Sequence, residues 1–132
     1  MNELQIIAIL ASIMLQATPL IIAVCGEVLT ERVGVVNLSL DGSMLMAAMT
    51  GFVVALESDS LMLGFAAAAA VGALFALIVA FGSIQLKQSQ FAIGFVLTLL
   101  GDDLSAFLGQ NYTRIPGPVV SDWGIPYLKD IP

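Results

Sequence analysis

The sequence predicts an all-α fold, a polytopic transmembrane helical bundle of about four membrane spans. Three observations predict it. Charged residues make up only 11% of the chain, whereas soluble domains carry about 25%. Hydrophobic residues make up 59%, and the mean hydropathy is +1.02. The apolar residues also fall into four runs, 4–26, 34–56, 61–86 and 91–109. A helix rising ~1.5 Å per residue needs about 20 residues to cross ~30 Å of hydrocarbon. One transmembrane domain is expected, followed by an external tail over residues 110–132.

The first run has no acid or base between Glu3 and Glu27. Its Thr18-Pro19 step removes a backbone donor and predicts a kink, which a membrane helix tolerates when neighbours satisfy the freed carbonyl. Met1-Asn2-Glu3 lacks the positive start of a signal peptide. Cys25 is the only cysteine and reads as an apolar filler. The second run is interrupted only by Asp41, and Met44, Met46 and Met49 suit its lipid- or helix-facing surface. In the third, Gly64, Ala68, Gly72, Ala76 and Ala80 recur every four residues. Small residues at that spacing predict a helix-packing face. The fourth holds Asp102 and Asp103. Adjacent carboxylates are costly in hydrocarbon, so the span is expected to end or break near Gly101.

Basic residues in short loops set orientation. Arg32 and Lys87 flank the second and fourth runs, and the turn Glu57-Ser58-Asp59-Ser60 has no base. An outside N-terminus follows, with Arg32 and Lys87 cytoplasmic and the tail outside. Tyr112, Trp123 and Tyr127 in that tail suit a headgroup-level anchor.

Between the first two runs lies a polar island, residues 26–43, GEVLTERVGVVNLSLDGS. It holds Glu27, Glu31, Arg32 and Asp41. Charge this close to hydrocarbon is usually kept for a loop, a cavity or a transport path. On a helical wheel Leu29, Val33, Val36 and Leu40 form an apolar stripe, with Glu27, Thr30, Glu31, Asn37 and Asp41 opposite. Two readings follow. One is a loop leading into an amphipathic entry to the second span. The other is a broken helix lining a path, with Gly34 and Gly42 supplying the breaks.

The island resembles the signature of permease subunits of binding-protein-dependent ABC importers, in the nucleoside and simple-sugar branch. The matching elements are Gly26-Glu27, Glu31-Arg32-Val33-Gly34, Asn37-Leu38-Ser39-Leu40-Asp41-Gly42 and Met44-Leu45-Met46, preceded by Ala17-Thr18-Pro19-Leu20. A looser match follows through Ser89-Gln90, Gly94, Leu97, Phe107-Leu108 and Ile125-Pro126. Thr98 stands where that family often has asparagine, and Asp102-Asp103 where it is apolar or glycine. The resemblance covers nearly all of this chain but only the N-terminal part of such permeases.

The resemblance implies ATP-driven alternating access in a bacterial-type plasma (inner) membrane. It also implies several partners: a second permease subunit, ATP-binding cassette subunits that bind the ATP, and an external solute-binding protein. An uncharged solute needs hydrogen-bonding side chains more than a counter-charge. Asn37, Ser39, Asp41, Ser43 and Thr98 are the translocation-path candidates. Glu27, Glu31 and Arg32 are the candidates for a cytoplasmic boundary or gate.

Other classes are disfavoured. The four bases do not cluster and the net charge is −6, which argues against nucleic acid. With no histidine and one cysteine, no metal cluster is expected. No nucleophile–base pair and no Gly-x-x-x-x-Gly-Lys-Ser/Thr loop is present, so neither an enzyme nor the ATPase subunit itself is expected. A four-span homodimeric transporter and a membrane assembly protein remain as alternatives. The first is disfavoured because residues 4–26 hold no mid-span acid.

Overall fold

In a computed structural model, four helices are connected by short turns. The structure describes residues 3–118, so Trp123, Tyr127 and most of the expected tail lie outside the described residues. The helices are α1 (Glu3–Arg32), α2 (Leu40–Ser58), α3 (Leu61–Ala80) and α4 (Gln90–Gly109). A π-helical turn, Phe81–Gln85, extends α3, and a 3-10 turn, Gln110–Tyr112, extends α4. Among the described residues there is no strand. The four apolar stretches measure 28, 19, 25 and 23 residues, each close to or beyond the ~20 that span a bilayer.

α1 is longer than its apolar run. It continues through Glu27–Arg32, good helix formers apart from the β-branched Val28 and Thr30, and ends with Arg32 at the negative end of the helix dipole. Gly34 then adopts φ +82°. Its N–H donates to the Glu31 carbonyl (2.9 Å), and the Val35 N–H donates to the Thr30 carbonyl (3.0 Å). These two bonds make a Schellman motif, which satisfies carbonyls the helix end would leave open. Gly34→Ala is therefore expected to cost about 1–2 kcal/mol in thermal unfolding. An added Cβ there meets no atom within 4 Å, so backbone conformation alone sets that cost. At Thr18-Pro19 the helix stays continuous, and the Thr18 hydroxyl donates to the Met14 carbonyl (2.8 Å).

α2 carries Asp41 in its first turn, where an acid complements the helix dipole. It closes on Asp59 in the left-handed region (φ 51°). Ser60 begins the next helix, its hydroxyl accepting the Leu63 N–H (3.5 Å). So short a connection makes α2 and α3 antiparallel neighbours. α4 returns beside α2, so these two run parallel.

The core lies where α2, α3 and α4 meet. Phe75, Val79 and Leu97 are buried there, with Met46, Val71 and Ile93 packed around them. α1 buries none of its apolar stretch, which leaves that surface for hydrocarbon or for further helices.

The small-residue stripe of α3 meets α2 at its first members. A Cβ on Gly64 would lie 2.6 Å from the Gly51 carbonyl oxygen and 2.7 Å from the Ala55 Cβ, and Ala68 faces Gly51. At Gly72 an added Cβ meets nothing within 4 Å, and Ala76 is exposed. The reason is geometric. A repeat of four residues rotates about 40° per step at 3.6 residues per turn, so Ala76 has turned about 120° from Gly64. Phe75 and Val79, at eleven-residue offsets from Gly64 and Ala68, hold the buried face instead.

α4 runs unbroken past Asp102 and Asp103, both exposed. The helix break expected near Gly101 does not occur. Gly101 is buried within α4 because it is a contact point, its would-be Cβ lying 2.6 Å from the Gly42 carbonyl oxygen.

Candidate functional site

The polar island folds as three pieces, not as one amphipathic helix. Gly26 to Arg32 finish α1, residues 33–39 form a turn, and Leu40 starts α2. The left-handed Gly34 makes this unavoidable, because a helix through it would need φ near −60°. Of the two glycines expected to break the island, Gly34 does so. Gly42 sits inside α2, buried, with the Thr98 Cα and carbonyl oxygen each 2.6 Å from its would-be Cβ.

Side chains from two other helices fix the turn. The Asn37 N–H donates to Glu27 Oε1 (2.9 Å), tying the turn to α1. Asn37 Oδ1 then accepts from both the N–H (3.1 Å) and the hydroxyl (2.6 Å) of Ser39. Ser39 is 1% exposed, the most buried polar residue described. From α4, Gln90 Oε1 accepts the Val36 N–H (3.3 Å). Further along α4 the Thr98 hydroxyl donates to the Leu38 carbonyl. Gly94 lets Leu38 approach, since a Cβ there would stand 2.9 Å from the Leu38 Cβ. Three consecutive residues of the turn, Val36, Asn37 and Leu38, thus have a main-chain group met by a side chain from elsewhere. In a low-dielectric setting such groups are expensive to leave unmet.

Of the path candidates, Asn37, Ser39 and Thr98 converge on the turn. Ser43 lies one helical turn into α2, its hydroxyl donating to the Leu40 carbonyl (2.8 Å). Asp41 is exposed on the same first turn. Ser39, Ser43 and Thr98 all spend their donors inside the chain, so the oxygens are left to accept. Of the boundary candidates, Glu27 is bonded into the turn. Glu31 and Arg32 are exposed on α1, and consecutive helical residues point about 100° apart. The role of Gln90 in holding Val36 has only one signal in the sequence, Ser89-Gln90 in the looser motif, and nothing there connects it to a residue 54 positions earlier.

A polar turn clamped between apolar helices, each long enough to cross a bilayer, defines a multi-pass membrane protein with polar structure at the edge of its spans. Family comparison makes that class specific. The chain belongs to the family described as branched-chain amino acid transport system permease components, whose model matches residues 9–121. It is similar to a protein of Haloferax volcanii named as a glucose ABC transporter permease, at 42% identity over 98 residues, covering 74% of this chain and 30% of that protein. It is 32% identical over 142 residues to the nucleoside ABC transporter permease of Lactococcus lactis, covering 99% of this chain and 44% of the relative. A guanosine ABC transporter permease of Bacillus subtilis is 34% identical over 145 residues, covering 100% of this chain and 45% of the relative. The chain therefore spans less than half the length of these relatives. No solved structure matches it.

Proposed function

We propose that this chain forms part of the membrane-spanning permease of an ABC importer, carrying an uncharged nucleoside or simple sugar by ATP-driven alternating access. The observation that carries the reading is the likeness to two nucleoside-class permeases over essentially the whole chain, polar island included. The glucose permease relative keeps the sugar class in view. The membrane is a bacterial-type plasma (inner) membrane. A second permease subunit pairs with this one, and separate ATP-binding cassette subunits bind and hydrolyse the ATP. An external solute-binding protein delivers the cargo. The chain's own work is translocation, not catalysis.

The clamped turn suits this role. Asn37, Ser39, Ser43 and Thr98 offer hydrogen-bonding atoms without a fixed counter-charge, which fits a neutral solute. Asp41 stands beside them at the start of α2. Glu27 sets the turn's position, and Glu31 and Arg32 lie at the cytoplasmic boundary. The test is uptake. Deleting the gene is expected to abolish accumulation of labelled nucleoside or hexose, with a plasmid copy restoring it. Unchanged accumulation of both solutes would overturn the reading.

A further inference from the structure

A polar side chain inside a membrane span needs a partner, because hydrocarbon offers none. Among the described residues, Gln16 is the one carboxamide that stands well inside a span; the other asparagines and glutamines lie at helix ends or in turns. Gln16 sits near the middle of α1, is exposed, and makes no side-chain hydrogen bond among the described residues. Its surroundings on the helix follow a repeat. Gln5, Ser12, Pro19 and Gly26 stand seven residues apart, and so do Ile9, Gln16, Ala23 and Thr30. The two sets interleave in alternating steps of four and three, so they form a seam along one face of α1. That face is mostly small or uncharged polar, whereas Ile7, Leu10, Met14 and Ile21 on the far side are large, apolar and exposed. At its foot α1 is tied to the clamped turn through Glu27. From Gln5 to Pro19 every seam residue is exposed.

We infer that this seam is an interface with a second copy of the chain, the two α1 helices running parallel and Gln16 meeting Gln16 of the partner subunit. A carboxamide both donates and accepts, so two of them close a reciprocal pair of hydrogen bonds. Copies inserted in the same orientation bring each residue level with its own counterpart, as a two-fold axis along the membrane normal requires. Ser12 and Gln16 are then matched at their own depth. A lipid chain has nothing to offer either side chain. The Ser12 hydroxyl donates to the Ile9 carbonyl (2.8 Å), which leaves its oxygen to accept. A seven-residue repeat is the spacing of a left-handed helix pair, and a polar residue at one seam position sets its register and its two-stranded state. Ser12 and Ala23 are small enough for the backbones to approach. The inference deepens the permease reading, which calls for a second permease subunit, by making that subunit a second copy and naming the surface it meets. Association itself is measured without transport.

The experiment uses single cysteines in a Cys25→Ser background, oxidised with copper phenanthroline in native membranes and read on a non-reducing gel. Ser12→Cys and Ile9→Cys, on the seam, are expected to give a product of twice the chain's mass. Ile7→Cys and Met14→Cys, on the far side, are expected to give none. Gln16→Leu added to the Ser12→Cys protein is expected to cut the product about tenfold, the order of one interhelical hydrogen-bonded pair. Gln16→Asn keeps the carboxamide and is expected to keep most of the product. Gln16 is exposed and leucine suits hydrocarbon, so Gln16→Leu is expected to leave membrane yield unchanged, which separates lost pairing from lost folding. Equal cross-linking on both faces, no product from Ser12→Cys, or a product containing a different polypeptide would overturn the interface. So would a Gln16→Leu variant that cross-links as fully as its parent. A seam cross-link in cells whose uptake survives deletion of the gene would keep the interface and sink the importer role. Uptake that depends on the gene, with no seam cross-link, would do the reverse.

Discussion

Replacing Gly42 or Gly101 with alanine is expected to remove most of the folded protein from the membrane. The two glycines face each other where α2 crosses α4. A Cβ on Gly42 would stand 2.6 Å from the Thr98 Cα and carbonyl oxygen, and one on Gly101 would stand 2.6 Å from the Gly42 carbonyl oxygen. Real Cβ atoms do not approach that closely, and the atoms in the way are backbone, which has no rotamer to yield. Overpacking a core costs about 1–3 kcal/mol when side chains can shift, and more when they cannot. Separating the helices would also break the Thr98 bond to Leu38 and expose the main chain of the turn. Membrane yield and thermal unfolding in detergent would measure the loss, about 3 kcal/mol or more for either variant. Gly72→Ala is the control. Nothing lies within 4 Å of its new Cβ, so the variant is expected to be unchanged or more stable by up to about 1 kcal/mol, the helix propensity difference.

The second large effect lies at Glu27. It holds Asn37 by an N–H bond to a carboxylate, and Asn37 in turn holds Ser39. Glu27→Ala is expected to cost about 1.5–3 kcal/mol, the worth of a hydrogen bond to a charged group. The loss should be local. Hydrogen exchange is expected to accelerate at the Asn37 and Ser39 amides while the amides around Phe75 and Leu97 stay protected. Glu27→Gln keeps a carbonyl acceptor at the same reach and should recover about half of the cost. If Glu27→Ala left exchange at Asn37 unaltered, the bond would not be what positions the turn.

The four spans were legible because bilayer crossing is written in composition and run length. Both are local properties that need no knowledge of partners. The family was legible in the island for a similar reason: a many-part motif survives without its tertiary context. The course of the island itself was less so. An apolar stripe at helical spacing fits residues 27–41, yet one glycine in the left-handed region overrides the whole periodicity. Gly34 and Gly42 were equal candidates in the sequence; Gly34 takes φ +82° and ends α1, whereas Gly42 stays helical in α2 with Thr98 of α4 packed on it. The clamp was illegible for the same reason. Val36 and Leu38 find Gln90 and Thr98 at separations of 54 and 60 residues, and a helical pattern names a face without naming what meets it.

The proposed importer role makes the clamped turn and its helices part of a machine driven by ATP. Proteoliposomes holding the permease, its ATP-binding subunits and the external binding protein test this most directly. Labelled nucleoside or hexose is expected to accumulate against its gradient only when ATP and magnesium reach the ATP-binding subunits, and equally with or without a proton gradient. Accumulation driven by a proton gradient without ATP would overturn the importer role and turn attention to the exposed pair Asp102 and Asp103.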